Sequence, residues 1–230
     1  MSVRLSLEAT ARRATDIFVA FIALLFAAPL MVVIACAIRI ETPGPVFFAQ
    51  KRLGKAGQRF TLFKFRKFRD EPDPSACAVT LKNDSRMTRV GRLLERTKLD
   101  ELPQLWNVAA GQMSLVGPRP ETLDFEDCFA GPFGAVLDYT PGLFGPTQAI
   151  FRDESALYPP GVEPHAFYRA VLFPAKARID LSYYQQRTLW SDSAWIVRCM
   201  LAVFGLVRFQ PGDALGEKKP ATHTILAGRI

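Results

Sequence analysis

Residues 17–38 read "IFVAFIALLFAAPLMVVIACAI", a run without a formal charge. About 20 apolar residues suffice to cross a bilayer, so a transmembrane helix is the plain reading. A signal peptide is a second, with Arg4, Arg12 and Arg13 ahead of the run and "ACA" at 35–37 resembling a cleavage site. The run is longer than the roughly 7–15 residues of a usual signal core, however. A third reading starts from Pro29, in mid-run. Proline cannot donate to the carbonyl of Leu25 and crowds it, so a helix should bend at Ala28–Pro29. Arg12 and Arg13 precede the run, and Arg39, Lys51, Arg52, Lys55 and Arg59 follow it. The positive-inside tendency then puts both flanks on the cytoplasmic side. A re-entrant helix-break-helix satisfies both features, provided the backbone groups freed at the bend are covered.

The remainder is long enough for one domain beside that membrane element. Composition is 49% hydrophobic and 22% charged, with a formal net charge of +7. Such an excess of positive charge implies an anionic partner: nucleic acid, acidic lipid or a phosphorylated substrate. The cysteines at 36, 77, 128 and 199 have no CxxC spacing and there are only two histidines. That argues against a zinc site and for reduced thiols in the cytosol.

Beyond the run, "VFFAQKRLGKAGQRFTLFKF" (46–65) predicts a β-hairpin whose turn is bracketed by Gly54 and Gly57. "RDEPDPSACA" (69–78) predicts a polar loop. A helix is expected from about Ser85 to Leu99, with Asp84 as its cap or, with Asn83, as support for a cation site. Another should begin near residues 99–102, with Pro103 in its first turn, and stop at Gly111. "SLVGPRPE" (114–121) reads as a rigid loop and "TPGLFGPTQAIF" (140–151) as a turn-rich connection. Residues 165–188 predict two helices broken near Pro174. Residues 191–209 predict an apolar helix capped by Ser191 or Asp192, in the core or at a membrane interface. The three tryptophans suit core or membrane-interface positions.

Within "KLDELPQLWNV" (98–108) two acids, Asp100 and Glu101, open a helix in a basic neighbourhood. Favourable interaction with the helix dipole would explain such a pair by itself. Adjacent helical residues point about 100° apart, however, so the two cannot do one job on one ligand. One can face a substrate while the other holds a cation. Arg96, Lys98, Arg119 and the basic arm Lys64, Arg66, Lys67 and Arg69 could neutralise an anionic substrate. A carboxylate attacking phosphorus needs that help, because like charges repel.

The segments "TPGPVFFAQKRLGKAGQRFTLFKFR", "NDSRMTRVGR", "LDELPQLWNV" and "GQMSLVGPRPE" carry a resemblance to the bacterial sugar transferases, the monotopic phosphoglycosyl transferases. It covers roughly residues 12–121, with weaker echoes in "TPGL", "FRDESAL" and "FPAKARIDLSYY". The resemblance implies an α+β fold: an N-terminal re-entrant membrane helix-break-helix (1–40), a small β-hairpin, and a mainly helical cytoplasmic catalytic domain with amphipathic interfacial helices (41–209), ahead of a flexible tail (210–230). It implies transfer of a sugar-1-phosphate from a UDP-sugar to polyprenol (undecaprenyl) phosphate with release of UMP, at the cytoplasmic face of the bacterial inner membrane. Mg²⁺ is the implied cofactor. Carried onto this chain, Asp100 is the nucleophile and Glu101 binds Mg²⁺, with Asp100 as a further metal contact. Arg119 meets substrate phosphate with Lys64 nearby. Beside the resemblance, Arg96 and Arg66 are further candidate phosphate contacts, Arg66 being otherwise part of a solvated or lipid-facing basic face, and Arg152 either reaches the nucleotide or pairs with Asp153 or Glu154. Nucleic acid is not expected as a partner; a homodimer stays open.

The sequence departs from the family pattern at four places. The usual arginine five residues before the nucleophile is Glu95, with Arg96 its candidate replacement. The usual Ser-Pro at the membrane bend is Ala28–Pro29, "KFRKF" stands for "KFRTM", and "FGPTQAIFRDE" stands for a "TGWAQVNGR"-like stretch. The rival reading is a membrane-anchored basic module, or a scaffold, without chemistry.

Overall fold

The computed structural model describes residues 2–69 and 86–211, with side chains from residue 8 onward. Helix α1 (Ser2–Glu41) runs unbroken through Pro29. The interruption expected at Ala28–Pro29 is therefore absent, and both residues lie on the exposed face. Asp16, Ala20, Ile34 and Ile38 are buried, with Ala23, Leu24, Ala27, Met31 and Ala35 half-buried between them. This spacing is one helical stripe, and it packs on the rest of the chain. The opposite face exposes Phe18, Phe21, Leu25, Phe26, Val32 and Val33. By length and composition, α1 is apolar enough to cross a membrane.

Polar contacts tie both ends of α1 to the same body. Near its start, Arg13 donates to the carbonyls of Val108 (2.7 Å) and Ala109 (2.9 Å). Asp16 accepts from the Ser114 hydroxyl (2.7 Å) and the Leu115 N–H (3.0 Å). At its end, Glu41 accepts from the N–H groups of Arg89 (2.6 Å) and Val90 (2.8 Å). Burial alone would raise the Glu41 carboxyl, but these backbone donors hold it below its usual value. Ala20 and Ile34 belong to core clusters that also contain residues beyond Glu41.

The expected hairpin is present. β1 (Phe47–Leu53) pairs antiparallel with β2 (Arg59–Phe65), from Phe47 opposite Phe65 to Leu53 opposite Arg59. α2 (Arg89–Thr97) starts four residues later than expected. Phe68 pairs with Met87 in a β-bridge, holding the backbone extended up to Thr88, whose hydroxyl caps the helix at the Gly91 N–H. Asp84 and Cys77 lie outside the described residues, as does most of the expected tail; Cys36, Cys128 and Cys199 are free thiols.

α2 ends at Lys98, whose left-handed backbone (φ 58°) turns the chain sharply. A 3₁₀ turn at Leu99–Glu101 follows, then α3 (Gln104–Ala109), with Pro103 at its cap. β3 (Ser114–Val116) and β4 (Gly142–Phe144) form a parallel pair inside the segments expected to be loops. Their ends come so close that a Cβ on Gly142 would sit 1.9 Å from the Gly117 nitrogen, so only glycine fits. This fixes the start of the Pro118–Pro120 loop that carries Arg119.

α4 (Pro146–Ile150) leads to a longer helical rod: α5 (Pro164–Phe167), a π-helical stretch (Tyr168–Leu172) and α6 (Phe173–Tyr184). The break expected near Pro174 is thus a π-bulge. Its extra residue gives room for the proline ring and its missing N–H without ending the rod. α7 (Leu189–Val203) is capped by Thr188 in a reciprocal box with Ser191. Asp192, a candidate cap, instead pairs with Arg12 (3.2 Å) and accepts from the Tyr183 hydroxyl (2.7 Å). The helix stops at Val203, short of residue 209. Trp190, Val197, Met200 and Phe204 are exposed, as is Trp106 on α3.

Candidate active site

Asn107 positions the site. It is fully buried, and its amide behaves like one more strand residue beside β2. It accepts from the Phe63 N–H (3.2 Å) and donates to the Thr61 carbonyl (2.7 Å) and to Gln112 Oε1 (2.7 Å). α3 is thereby fastened to the strand that carries Lys64, and the preceding turn presents Asp100 and Glu101 to the same strand.

The two acids part company as the helical offset requires. Glu101 Oε1 receives Lys64 Nζ (3.0 Å) and Arg119 Nη2 (2.9 Å). Burial alone would raise the Glu101 carboxyl, yet Lys64 and Arg119 hold it well below the carboxylate range. Burial pushes the Lys64 ammonium down to about 8 against the pull of Glu101, while Glu101 raises Arg119. Asp100 turns the other way and is only 2% exposed. Its Oδ2 lies 3.6 Å from Lys67 Nζ, and its Oδ1 is buried with no hydrogen-bond partner. A buried acceptor without a partner is costly in a folded protein unless a ligand completes it.

Both acids line a cleft of about 560 Å³, together with Arg52, Lys64, Lys67, Arg119 and Arg152. One wall is apolar, from Leu143, Phe144, Met200, Val203 and Phe204. At the other side runs a polar chain. Tyr168 donates to Glu121 (2.6 Å), Lys176 donates to Tyr168 (3.0 Å), and Lys176 also pairs with Glu154. Burial lowers Arg52, whose guanidinium donates to the Pro120 carbonyl (3.0 Å) and to Gln50 (2.7 Å).

Asp100, Glu101, Lys64 and Arg119 therefore come together as expected, and two other predicted phosphate contacts do not. Arg66 is buried away from the cleft, where it donates to the carbonyls of Pro43 (2.6 Å) and Thr42 (3.0 Å). The strand ends at Phe65, so the alternation that would align Arg66 with Lys64 stops there. Arg96 is exposed on α2 and does not line the cleft; one helical step separates it from Glu95, which does. Arg152 lines the cleft, but its guanidinium holds the carbonyls of Ala202, Val203 (3.3 Å) and Arg96 (2.9 Å). Lys67, expected only as part of a basic arm, is in the site instead. Its ammonium meets Glu95 at 3.1 Å, so two departures from the family pattern are partners. Their opposite charges are the sequence signal for that pairing. The Glu121–Tyr168–Lys176–Glu154 chain has none, because its members are far apart in sequence.

Among the described residues no three His, Cys, Asp or Glu side chains converge on one point. Mg²⁺ commonly needs only one or two carboxylates, with substrate phosphates and water completing its shell. The unpartnered Asp100 Oδ1 beside Glu101 fits that pattern.

An acid pair among cations, in a cleft with one apolar wall, has the charge and shape to suit an anionic ligand with an apolar part. The family described as bacterial sugar transferase matches residues 7–205, and the chain belongs to it. A UDP-glucose:undecaprenyl-phosphate glucose-1-phosphate transferase of Xanthomonas campestris pv. campestris is 37% identical over 85% of this chain and 39% of its own length. A UDP-N-acetylgalactosamine-undecaprenyl-phosphate N-acetylgalactosaminephosphotransferase of Aeromonas hydrophila is 42% identical over 84% of this chain and 44% of its own. A UDP-glucose:undecaprenyl-phosphate glucose-1-phosphate transferase of Caulobacter vibrioides is 35% identical over 81% and 67%. The chain thus spans less than half the length of the Xanthomonas and Aeromonas relatives.

Proposed function

We propose that this chain transfers a sugar-1-phosphate from a UDP-sugar to polyprenol phosphate and releases UMP. The observation that carries the reading is Asp100: a buried carboxylate with one oxygen held near a cation and the other unpartnered, beside Glu101 in a cation-lined cleft. In the first half-reaction an Asp100 oxygen bonds to the phosphorus bearing the sugar. The bond from that phosphorus to the UMP oxygen breaks, and UMP leaves with the electron pair. In the second, an oxygen of polyprenol phosphate bonds to the same phosphorus and the Asp100 carboxylate is regenerated. Asp100 thereby divides one difficult displacement into two. Arg119 and Lys64 supply positive charge at the mouth of the site and hold Glu101 ionised. Mg²⁺ would be held by Glu101 and the free oxygen of Asp100, and when bound it offsets diphosphate charge. The functions for which the relatives are named support the substrate classes.

The same reading places the protein on one face of the bacterial inner membrane, the cytoplasmic one. Asp16 and Glu41 are separated by about 37 Å of helix at 1.5 Å per residue. Both are bonded to the rest of the chain, which supports a helix held against that body over one crossing the bilayer away from it. The exposed apolar face of α1, with Trp106 and the outer side of α7, supports immersion in one leaflet. Labelling of single cysteines on either flank of residues 17–38 tests this; flanks on opposite sides of the membrane would overturn it. For the chemistry, detergent-solubilised protein with UDP-sugars, Mg²⁺ and undecaprenyl phosphate should yield UMP. Asp100→Asn should abolish that yield with membrane association intact, and full turnover by this variant would overturn the reading.

A further inference from the structure

We infer that Lys67 is a positioning residue for Asp100, held in that role by Glu95 and by one face of α2. The inference rests on Asp100 being the nucleophile. Asp100 and Glu101 have different nearest cations. Lys64 and Arg119 converge on Glu101, whereas Lys67 is the ammonium that approaches Asp100 Oδ2, at 3.6 Å. The approach is to Oδ2 and leaves Oδ1 without a protein partner.

The backbone around Lys67 is built to keep it there. Its carbonyl accepts from the Thr88 N–H (3.0 Å) and the Thr88 hydroxyl (3.1 Å). A Cβ on Gly91 would sit 2.1 Å from the same carbonyl oxygen, so the approach requires glycine. Thr88, Gly91 and Glu95 follow each other at helical spacing along one side of α2. The last of them holds the Lys67 ammonium at 3.1 Å. Backbone and side chain of Lys67 are thus gripped by the same helix face, and the side chain is only 16% exposed. A lysine serving solubility would need neither the glycine nor two carboxylate partners. Glu95 fixes the ammonium at a distance from Asp100 that attracts the carboxylate without closing a tight hydrogen bond, leaving the nucleophile oriented and unquenched.

The test compares Lys67→Met, Lys67→Arg and the transposed pair Lys67→Met/Glu95→Lys, each checked for folding by thermal melting. Lys67→Met should lower kcat on the order of 10²-fold, the scale for losing one electrostatic contact at a reacting group. KM for the UDP-sugar should change little, because the lost contact is to the enzyme's own carboxylate. Lys67→Arg should keep kcat within about tenfold of wild type, and the transposed pair should recover a large part of the loss by returning a cation to Asp100 from α2. Full kcat in a folded Lys67→Met, a loss confined to KM, or equal loss in Met and Arg variants would each overturn the inference. Should Lys67→Met fail to fold, the arginine and transposed variants decide between the same outcomes. Phosphorylation of wild-type Asp100 is scored alongside: its absence would bring down the reading beneath, whereas its presence with an equally fast Lys67→Met would sink this inference alone.

Discussion

Replacing Asn107 with alanine should damage the site without touching any group that meets substrate. The wild-type amide satisfies the Phe63 N–H and the Thr61 carbonyl on the edge of β2, and Gln112 besides. Alanine leaves those two backbone groups without partners, at about 1–3 kcal/mol for each unsatisfied buried group. Thr61 and Phe63 are only half-buried, so water reaches them in part. The low end applies, giving about 2–3 kcal/mol in total. At about 2–4 °C per kcal/mol for a chain of this size, the melting temperature should fall by about 4–12 °C. α3 would also loosen from β2, separating Glu101 from Lys64, so kcat should fall at temperatures where the protein remains folded. Differential scanning fluorimetry in detergent, with UMP-release kinetics, measures both. A melting temperature within a degree of wild type, with unchanged kcat, would refute the claim that this side chain fastens the reaction turn to the hairpin.

Other outcomes follow from the same geometry. Asp180 is buried and accepts from the Thr147 hydroxyl (3.1 Å), and burial raises its carboxyl to about 8. Its folded state holds a proton that the unfolded chain releases near pH 4. Its contribution is therefore fully present below that value and is lost as pH rises through about 8. Asp180→Asn should flatten this decline, so its melting advantage over wild type should grow between pH 5 and pH 9; a difference independent of pH would contradict the assignment. Gly91→Ala places a Cβ 2.1 Å from the Lys67 carbonyl oxygen and should lower both stability and kcat, because helix and strand arm must move apart. Arg96→Ala should leave UMP-release kinetics near wild type, since that side chain lies outside the cleft.

The hairpin and the acid pair are legible in the sequence because both depend on local signals. Glycines mark the turn between β1 and β2, and two adjacent carboxylates after a basic helix stand out against their surroundings. Legibility fails where a distant partner decides. Arg66 looks like a neighbour of Lys64 until the Thr42–Pro43 carbonyls claim it. The helix expected from about Ser85 starts at Arg89, because the Phe68–Met87 bridge keeps the chain extended just ahead of it. Pro174 looks like a break, and a π-bulge absorbs it. In α1 the proline signal is local, whereas one continuous stripe of packing holds the helix through Pro29. Asn107 carries no sequence signal, because nothing in its neighbours distinguishes an amide that completes a sheet edge from an ordinary helix residue.

The covalent step admits one direct measurement. Purified protein incubated with UDP-sugar and Mg²⁺, without polyprenol phosphate, is quenched, digested and subjected to mass spectrometry. The peptide containing Asp100 should carry the added mass of one sugar phosphate, with an equal amount of UMP released, and undecaprenyl phosphate should remove the adduct. UMP appearing only when the lipid acceptor is present, with the Asp100 peptide unmodified throughout, would contradict a carboxylate nucleophile.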